Sequence, residues 1–440
     1  MHPECLTLPP HEVIQRHVRQ ALSRYWFVQE LDPSVLPIQC HRPAEITGPL
    51  RLHAITLPDW GAIHGVEGII LIPLEASPHG DDWQKVDWWL GAFLLLECWH
   101  ERTWELHHGP IHSYSFRLEG WDERAWDHAW VNRIALFLRS WWAHLQDKSA
   151  EWFEASLPAT EILMTHDVDA VGKILPIRLK QGAFNLYNAV RALLNGDPGT
   201  TFDKIGVAVR FLLGREAWEK VNFLLAMEKQ LGIRAYYNFY ADSRPKNLQR
   251  WLFDPDYDVE SIYLRDLLRR VQEQGGMVGL HPTFDAWESA IPIRDQRERL
   301  SRAANIPVKS CRQHWLRFSW HKTWAAQVAA GIEQDTTLMF NDRPGFRASA
   351  ALVWHPWEPV QGCCHTLLEY PSVLMDSHFY DYQPLSDVER KKALQNWLGE
   401  VALVKGQIGV LWHPHTLTKD YGWEGGFQDL LLAMAEIRSC

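Results

Sequence analysis

From Glu161 onward the chain alternates short apolar runs with amphipathic stretches, the pattern of βα units around a mostly parallel sheet. The spacing predicts seven strands: Glu161–Thr165, Ala235–Tyr240, Met277–His281, Lys309–His314, Gly331–Leu338, Thr366–Met375 and Gln407–His413. Helical periodicity falls between them at Trp218–Leu231, Ser261–Gln274, Ile293–Ala304, Trp324–Ala330 and Asp387–Val404. Polar residues gather where successive strands end, which favours a barrel over an open sheet. Residues 1–155 have a different texture. One strand-like run, Gly68–Leu74, precedes two Trp-rich helical segments, Val86–Glu105 and Trp121–Gln146, and Asp147–Pro158 is polar enough to be a linker. The expected fold class is α/β: an irregular (β/α)7 barrel over 160–440, preceded by a smaller α+β N-terminal domain over 1–155.

One segment interrupts the alternation. Lys173–Glu216 carries seven Lys and Arg against three Asp and Glu, a local excess of positive charge in a chain whose net charge is −10. It reads as an inserted helical pair with a solvated basic face, or as a lid or surface facing anionic glycans or a membrane.

Composition narrows the function classes. A chain of 440 residues buries a large core without staples, and 44 basic against 54 acidic residues leave no global field for nucleic acid. Trp (24) outnumbers Phe (17) and Tyr (12), so large aromatic faces are available for sugar rings as well as for the core. Seven Cys with no CxxC pair suit a reducing compartment, since adjacent Cys363 and Cys364 bridge only with strain. The N-terminus lacks an apolar stretch after a basic start, so neither a signal peptide nor export by the usual route is expected. The most apolar run, Val86–Trp99, is shorter than the ~20 residues a spanning helix needs and reads as a buried helix. The expectation is a cytoplasmic protein with no transmembrane span, with peripheral membrane contact left open.

The chemistry gathers at strand ends. In THDVD, Asp167 and Asp169 are two apart, so an extended chain points both carboxylates to one side and His166 and Val168 to the other. One carboxylate can hold a cation while the other takes a proton from water. His281 ends the third strand; Arg312 and His314 end the fourth. An Asp and two His from three strand ends form an N/O set suited to zinc with a position open to water. The last strand runs into LWHPH, which supplies His413 and His415; a His opposite the nucleophile can protonate a departing group.

Five motifs in order, THDVD, GLHPTF, RQHWLRF with TWAAQVAAGIEQDTTL, GFRASA and LWHPH, resemble the polysaccharide deacetylase (NodB-like, carbohydrate esterase family 4) superfamily, in its THDVD branch. The segment VDWWLGAFLLLECWHERTW resembles the accessory domain found ahead of such catalytic domains. The resemblance implies hydrolysis of an N- or O-acetyl group on a saccharide or polysaccharide intermediate at a divalent metal, with zinc expected. Asp167 would be the base, Arg312 the residue that orients it, His413 the acid, and Asp169 and His281 metal ligands. This chain departs from the usual pattern four residues after the first His, where Asp285 stands. His314 is preferred as third ligand and Asp285 is the alternative. A backbone N–H near Trp315 would hold the oxyanion, and Trp315, Arg347 and His415 are candidate substrate contacts. The departure at Asp285 also admits a catalytically silent carbohydrate- or protein-binding relative, and the ligands alone admit another amide or a phosphoester.

Overall fold

The computed structural model describes residues 6–26, 31–43, 45–61, 68–149, 152–153, 157–194, 196–214, 218–383 and 385–439. The end of the expected insertion at Glu216 and parts of the Asp147–Pro158 linker lie outside them.

The N-terminal region contains α1 (His11–Ala21), an antiparallel pair β1 (Leu52–Thr56) and β2 (Ile69–Pro73), and helices α2 (Trp88–Leu96), α3 (Trp99–His108) and α4 (Trp130–Leu145). The continuous helix suggested by Val86–Glu105 breaks at Cys98, which adopts φ +45°. Every residue of α2 is buried, so it has no polar face to carry a longer amphipathic helix over the surface. Its N-terminus is capped by Asp87, whose side chain accepts from the Leu90 N–H. The expected helix from Trp121 begins only at Trp130, after a short turn over Glu123–Trp126. The first strand of the pair escapes the hydrophobic pattern, because Leu52–Thr56 neither alternates strictly nor forms a continuous apolar run.

The remainder is built on parallel strands: β3 (Glu161–Val168), β4 (Ala235–Phe239), β5 (Met277–Leu280), β6 (Ser310–Cys311), β7 (Gln334–Asp335), β10 (Leu368–Glu369), β11 (Ser372–Met375) and β12 (Gln407–Leu411). A small antiparallel pair, β8 (Trp357–Glu358) and β9 (Cys363–Cys364), sits ahead of β10. Strand order in the main sheet is β10-β7-β6-β5-β4-β3-β12-β11. The two edge strands are consecutive in the chain, separated only by Tyr370 and Pro371. One extended segment therefore pairs with β7 through Leu368 and Glu369, and with β12 through Ser372, Leu374 and Met375. Counting it once gives seven strands, and it closes the sheet on itself. The ladders at Lys309–His314 and Gly331–Leu338 are shorter than expected, two residues each. Beyond them the backbone turns outward to carry the site loops.

Helices α5 (Leu175–Leu194) and α6 (Pro198–Leu213) form a hairpin after β3. They are followed by α7 (Val221–Gln230), α8 (Leu248–Phe253), α9 (Ile262–Glu273), α10 (Ala290–Ala304), α11 (Thr323–Ala329), α12 (Asp387–Leu403) and α13 (Glu424–Ser439). One continuous apolar core runs from α1 through the barrel to α13 and includes Trp88, Trp99, Trp324, Trp354 and Trp412. Buried polar contacts also join the N-terminal region to the barrel. Arg133 pairs with Glu400, Glu97 accepts from the Trp357 N–H at 3.0 Å, and Arg102 lies 5.0 Å from the Trp320 ring centroid. Among the described residues, no helix is long and apolar enough to cross a membrane.

Candidate active site

Strand β3 sets the first two groups. Its alternation sends His166 outward, where its ring packs on Tyr237 and Phe427, and Nε2 lies 2.5 Å from Glu228. Asp167 and Asp169 face the other way and meet His281, with Asp167 Oδ2 at 3.8 Å and Asp169 Oδ1 at 3.3 Å from its Nε2. His314 Nε2 stands 3.7 Å from the same Asp169 oxygen, and His413 Nε2 is 3.7 Å from the other.

Both ligand-type imidazoles are oriented from behind. His281 Nδ1 donates to the Arg312 carbonyl at 2.8 Å. His314 Nδ1 faces Asp254 Oδ1 at 3.3 Å, and Asp254 is itself fixed by the Phe284 N–H at 2.8 Å. With each Nδ1 engaged as a donor, each Nε2 presents a lone pair toward Asp169, the arrangement that holds a histidine ready for a metal. Asp169, His281 and His314 offer ligand atoms within 4.8 Å of one another. Ligand atoms ~2.0–2.2 Å from a tetrahedral ion lie roughly 3.3–3.6 Å apart, close to the spacing here. Asp169 Oδ1 is buried with no hydrogen-bond partner, as a carboxylate reserved for a cation would be. The donor set thus fits a divalent metal.

The electrostatics follow from this crowding. Burial opposes ionisation of Asp169, but His281, His314 and His413 together hold its carboxyl well below the usual range. Burial lowers His413, yet Asp376 and the Asp169 and Asp167 carboxylates raise it to about 10. His415 moves the other way, to about 4, through burial and the neighbouring His413.

Asp167 is held by two elements. Asn238 on β4 donates to its Oδ1 at 2.9 Å, and Arg312 Nε lies 3.4 Å away. Arg312 is fully buried and anchored by its Nη2, which donates to Thr165 Oγ1 at 2.6 Å and to Ser372 Oγ at 3.2 Å. It therefore bridges the first strand to the closing segment while facing the Asp167 carboxylate.

The remaining expected residues divide. Asp285 is drawn out of the cluster by Arg244 at 3.3 Å and Arg250 at 3.7 Å, so His314 occupies the third position. Trp315 stands at the rim, 44% exposed, on a turn in which both it and Leu316 have positive φ (57° and 50°). Two such residues in succession store strain that the surrounding loops must hold, and Ser113 Oγ donates to the Trp315 carbonyl at 3.5 Å. His415 lines the cleft with its ring stacked on Trp218, 5.8 Å between centroids. Arg347 is a correction: it is buried against Glu101 of α3 and donates to the Met339 carbonyl, so it joins the barrel to the N-terminal region and does not reach the cleft.

Three residues that the strand-end pattern did not single out complete the site. Asp376, directly after β11, accepts from His413 Nδ1 at 2.9 Å and from the His413 N–H at 2.8 Å. Asp254 orients His314, and Asn238 orients Asp167. Asp376 was reachable from its position one residue past a predicted strand. Asp254 comes from the loop after α8 and carried no such signal.

Neither a family model nor a curated protein matches the chain. Solved structures do. A candidate polysaccharide deacetylase from Mycobacterium smegmatis is 18% identical, with 63% of this chain and 84% of that one covered and a TM-score of 0.36. The CE4 domain of a multidomain xylanase from the Trinervitermes trinervoides hindgut metagenome is 10% identical over 64% and 82%, with a TM-score of 0.28. A CE4 family pseudoenzyme from Bacillus anthracis is 12% identical over 63% and 61%, with a TM-score of 0.28. The chain is similar to this group, but likeness at this level assigns it no activity, and the functional reading rests on the residues.

Proposed function

We propose that the protein is a metal-dependent hydrolase that removes an acetyl group from a saccharide. What supports the reading is the convergence of Asp169, His281 and His314 within 4.8 Å, with Asp167 on one side and His413 on the other. A divalent cation held by these three, zinc by the chemistry of the donor set, supplies positive charge that acidifies water and polarises an acyl oxygen.

The chain's own groups then divide the proton work. Asp167, oriented by Asn238 and Arg312, takes a proton from water as the new oxygen–carbon bond forms at the acyl carbon. The protonated His413 faces the same space and gives its proton to the departing amine or hydroxyl as the acyl bond breaks, which releases acetate. Asp376 keeps that imidazole protonated and aimed. The exposed Trp315 indole gives a sugar ring an apolar face at the rim, and the His415 ring, backed by buried Trp218, lines the cleft below it.

The test is metal content and acetate release by the purified chain on a chromogenic acetyl ester and on acetylated oligosaccharides. About one ion per chain and metal-dependent release are expected. A protein that takes up neither zinc nor cobalt overturns the reading, and one that binds metal and sugar without turnover is a silent relative.

A further inference from the structure

Twelve of the 28 large apolar side chains that are exposed among the described residues lie on the hairpin formed by α5 and α6. Eleven of them fall on two stripes, and Phe184 lies on the opposite face of the first helix. At 100° per residue, Leu175, Leu179, Leu186, Val190 and Leu193 fall on one stripe of α5, widened by Leu194 and Tyr187. Phe202, Ile205, Val209 and Leu213 form a stripe on α6.

The contact between the helices is tight at Gly182, where an added Cβ would meet Leu212 at 2.8 Å, and it continues through buried Asn185, Ala189 and Ala208. Each stripe is turned from this contact line in the same rotational sense. The turn joining the helices is short, so they run antiparallel, and an equal rotation on two antiparallel helices brings both stripes to one side of the hairpin. The exposed guanidinium residues Arg191 and Arg210 fall at the outer flanks of that ridge, where long side chains reach past an apolar face to a charged surface.

The hairpin is also fixed relative to the site. Lys173 at its base pairs with buried Asp420 at 2.6 Å, and Asp420 in turn accepts from the Trp218 indole at 2.8 Å. Ile174, Ile177, Lys180 and Gln181 form one wall of the cleft that contains Asp169 and His415. Trp251 of α8 also lines that cleft, and its helix neighbours Leu248 and Leu252 are exposed.

We infer that the α5–α6 hairpin docks the protein on an anionic lipid bilayer and brings the mouth of the cleft to the membrane surface, so that the acylated saccharide is presented on a lipid carrier. A second copy or another protein would equally cover an apolar ridge, but the hairpin carries Arg178, Lys180, Arg191, Lys204 and Arg210 against Asp197 and Asp203, a positive excess that remains with Lys173 set aside beside its partner Asp420, and in a chain of net charge −10 it selects an anionic surface. A spanning role is excluded because the apolar residues occupy stripes rather than the whole circumference. The substrate part of the inference rests on the deacetylase reading; the docking does not.

Flotation of the full chain with vesicles tests it. Binding is expected to phosphatidylcholine vesicles containing a minority of phosphatidylglycerol, weakening as salt is raised, with much less binding to phosphatidylcholine alone. The triple variant Leu186→Ser, Val190→Ser and Leu193→Ser should reduce binding on the order of tenfold or more while turnover of a soluble acetyl ester is unchanged. Arg191→Glu with Arg210→Glu should reduce it on anionic vesicles and leaves the apolar ridge intact, which keeps the test decisive should the serine variant fold poorly. No binding by the wild type overturns docking, as does equal binding by the arginine variant. A lipid-free dimer that the serine substitutions dissociate assigns the ridge to a second copy and also overturns it. Ester turnover without vesicle binding removes only the docking; vesicle binding without turnover removes only the deacetylase reading.

Discussion

Asp376 holds His413 through both of its oxygens, one on the imidazole Nδ1 at 2.9 Å and one on the backbone N–H at 2.8 Å. The second contact fixes where the residue sits and the first fixes which nitrogen is free. Because Nδ1 faces a carboxylate, the proton available to a leaving group is on Nε2, which points to Asp169 and the cluster.

Asp376→Asn should therefore lower kcat by roughly 10²–10⁴ while metal content stays constant. The pH profile separates this from a structural loss. A His acid works while protonated, so wild-type activity should persist well above pH 6.5, because Asp376 raises His413 against the opposing effect of burial. In the variant this basic limb should move toward neutrality. A variant with lower kcat and an unmoved basic limb would mean that the Asp376 carboxylate does not control the acid.

The third ligand can be tested by comparing His314→Ala with Asp285→Ala. Metal affinity should fall steeply in the first, since His314 Nε2 faces Asp169, and little in the second, since Asp285 is paired with Arg244 and Arg250. Measurement by competition with a chelator distinguishes them. The reverse order would mean that the loop bearing Asp285 moves into the site when metal binds.

The barrel and its strand-end residues were legible because both follow local rules. Strands of a closed parallel sheet are apolar on both faces, so β3, β4, β5 and β12 stand out as short apolar runs. The i, i+2 spacing of Asp167 and Asp169 carries to one face only because β3 stays extended to Val168. What was not legible depends on the return of the chain from afar. Arg347 lies within a motif that looks like part of the site, yet its partner Glu101 lies in the N-terminal region, 246 positions away. Asp254 reaches His314 from a loop with no strand before it. A carboxylate beside a histidine in space leaves no trace in their separate neighbourhoods along the chain.

Asp167 and Asp169 should separate by function. Asp169→Asn removes the charged ligand, so metal and activity fall together. Asp167→Asn keeps the shape and the Asn238 neighbour but loses the base, so metal stays and turnover drops by roughly 10²–10⁴. Metal analysis beside single-turnover rates decides it: release of metal by the Asp167 variant alone would exchange the two roles.

A last prediction concerns the joint between the N-terminal region and the barrel. Glu400 on α12 accepts from Arg133 Nε of α4 at 2.9 Å and from the Ala129 N–H at 3.0 Å, and His128 lies 3.1 Å away. Burial would raise its carboxyl, but His128 and Arg133 hold it at about 2, below the ordinary 4.5. A depressed carboxyl contributes stability that is fully present above its unfolded value and is lost as pH falls through its folded value. The Glu400 contribution, about 3 kcal/mol, should thus be present at neutral pH and disappear between about pH 4.5 and pH 2. Glu400→Gln leaves Arg133 buried without its counter-charge and should destabilise by about 3–5 kcal/mol at pH 7. Thermal melts at descending pH should show the gap between wild type and variant narrowing once pH drops below about 4, as protons neutralise the wild-type carboxylate and Arg133 loses the Glu400 charge in both. A gap that stays constant down to pH 2 would mean that the ion pair contributes nothing through its charge, and that α4 and α12 are held by packing alone.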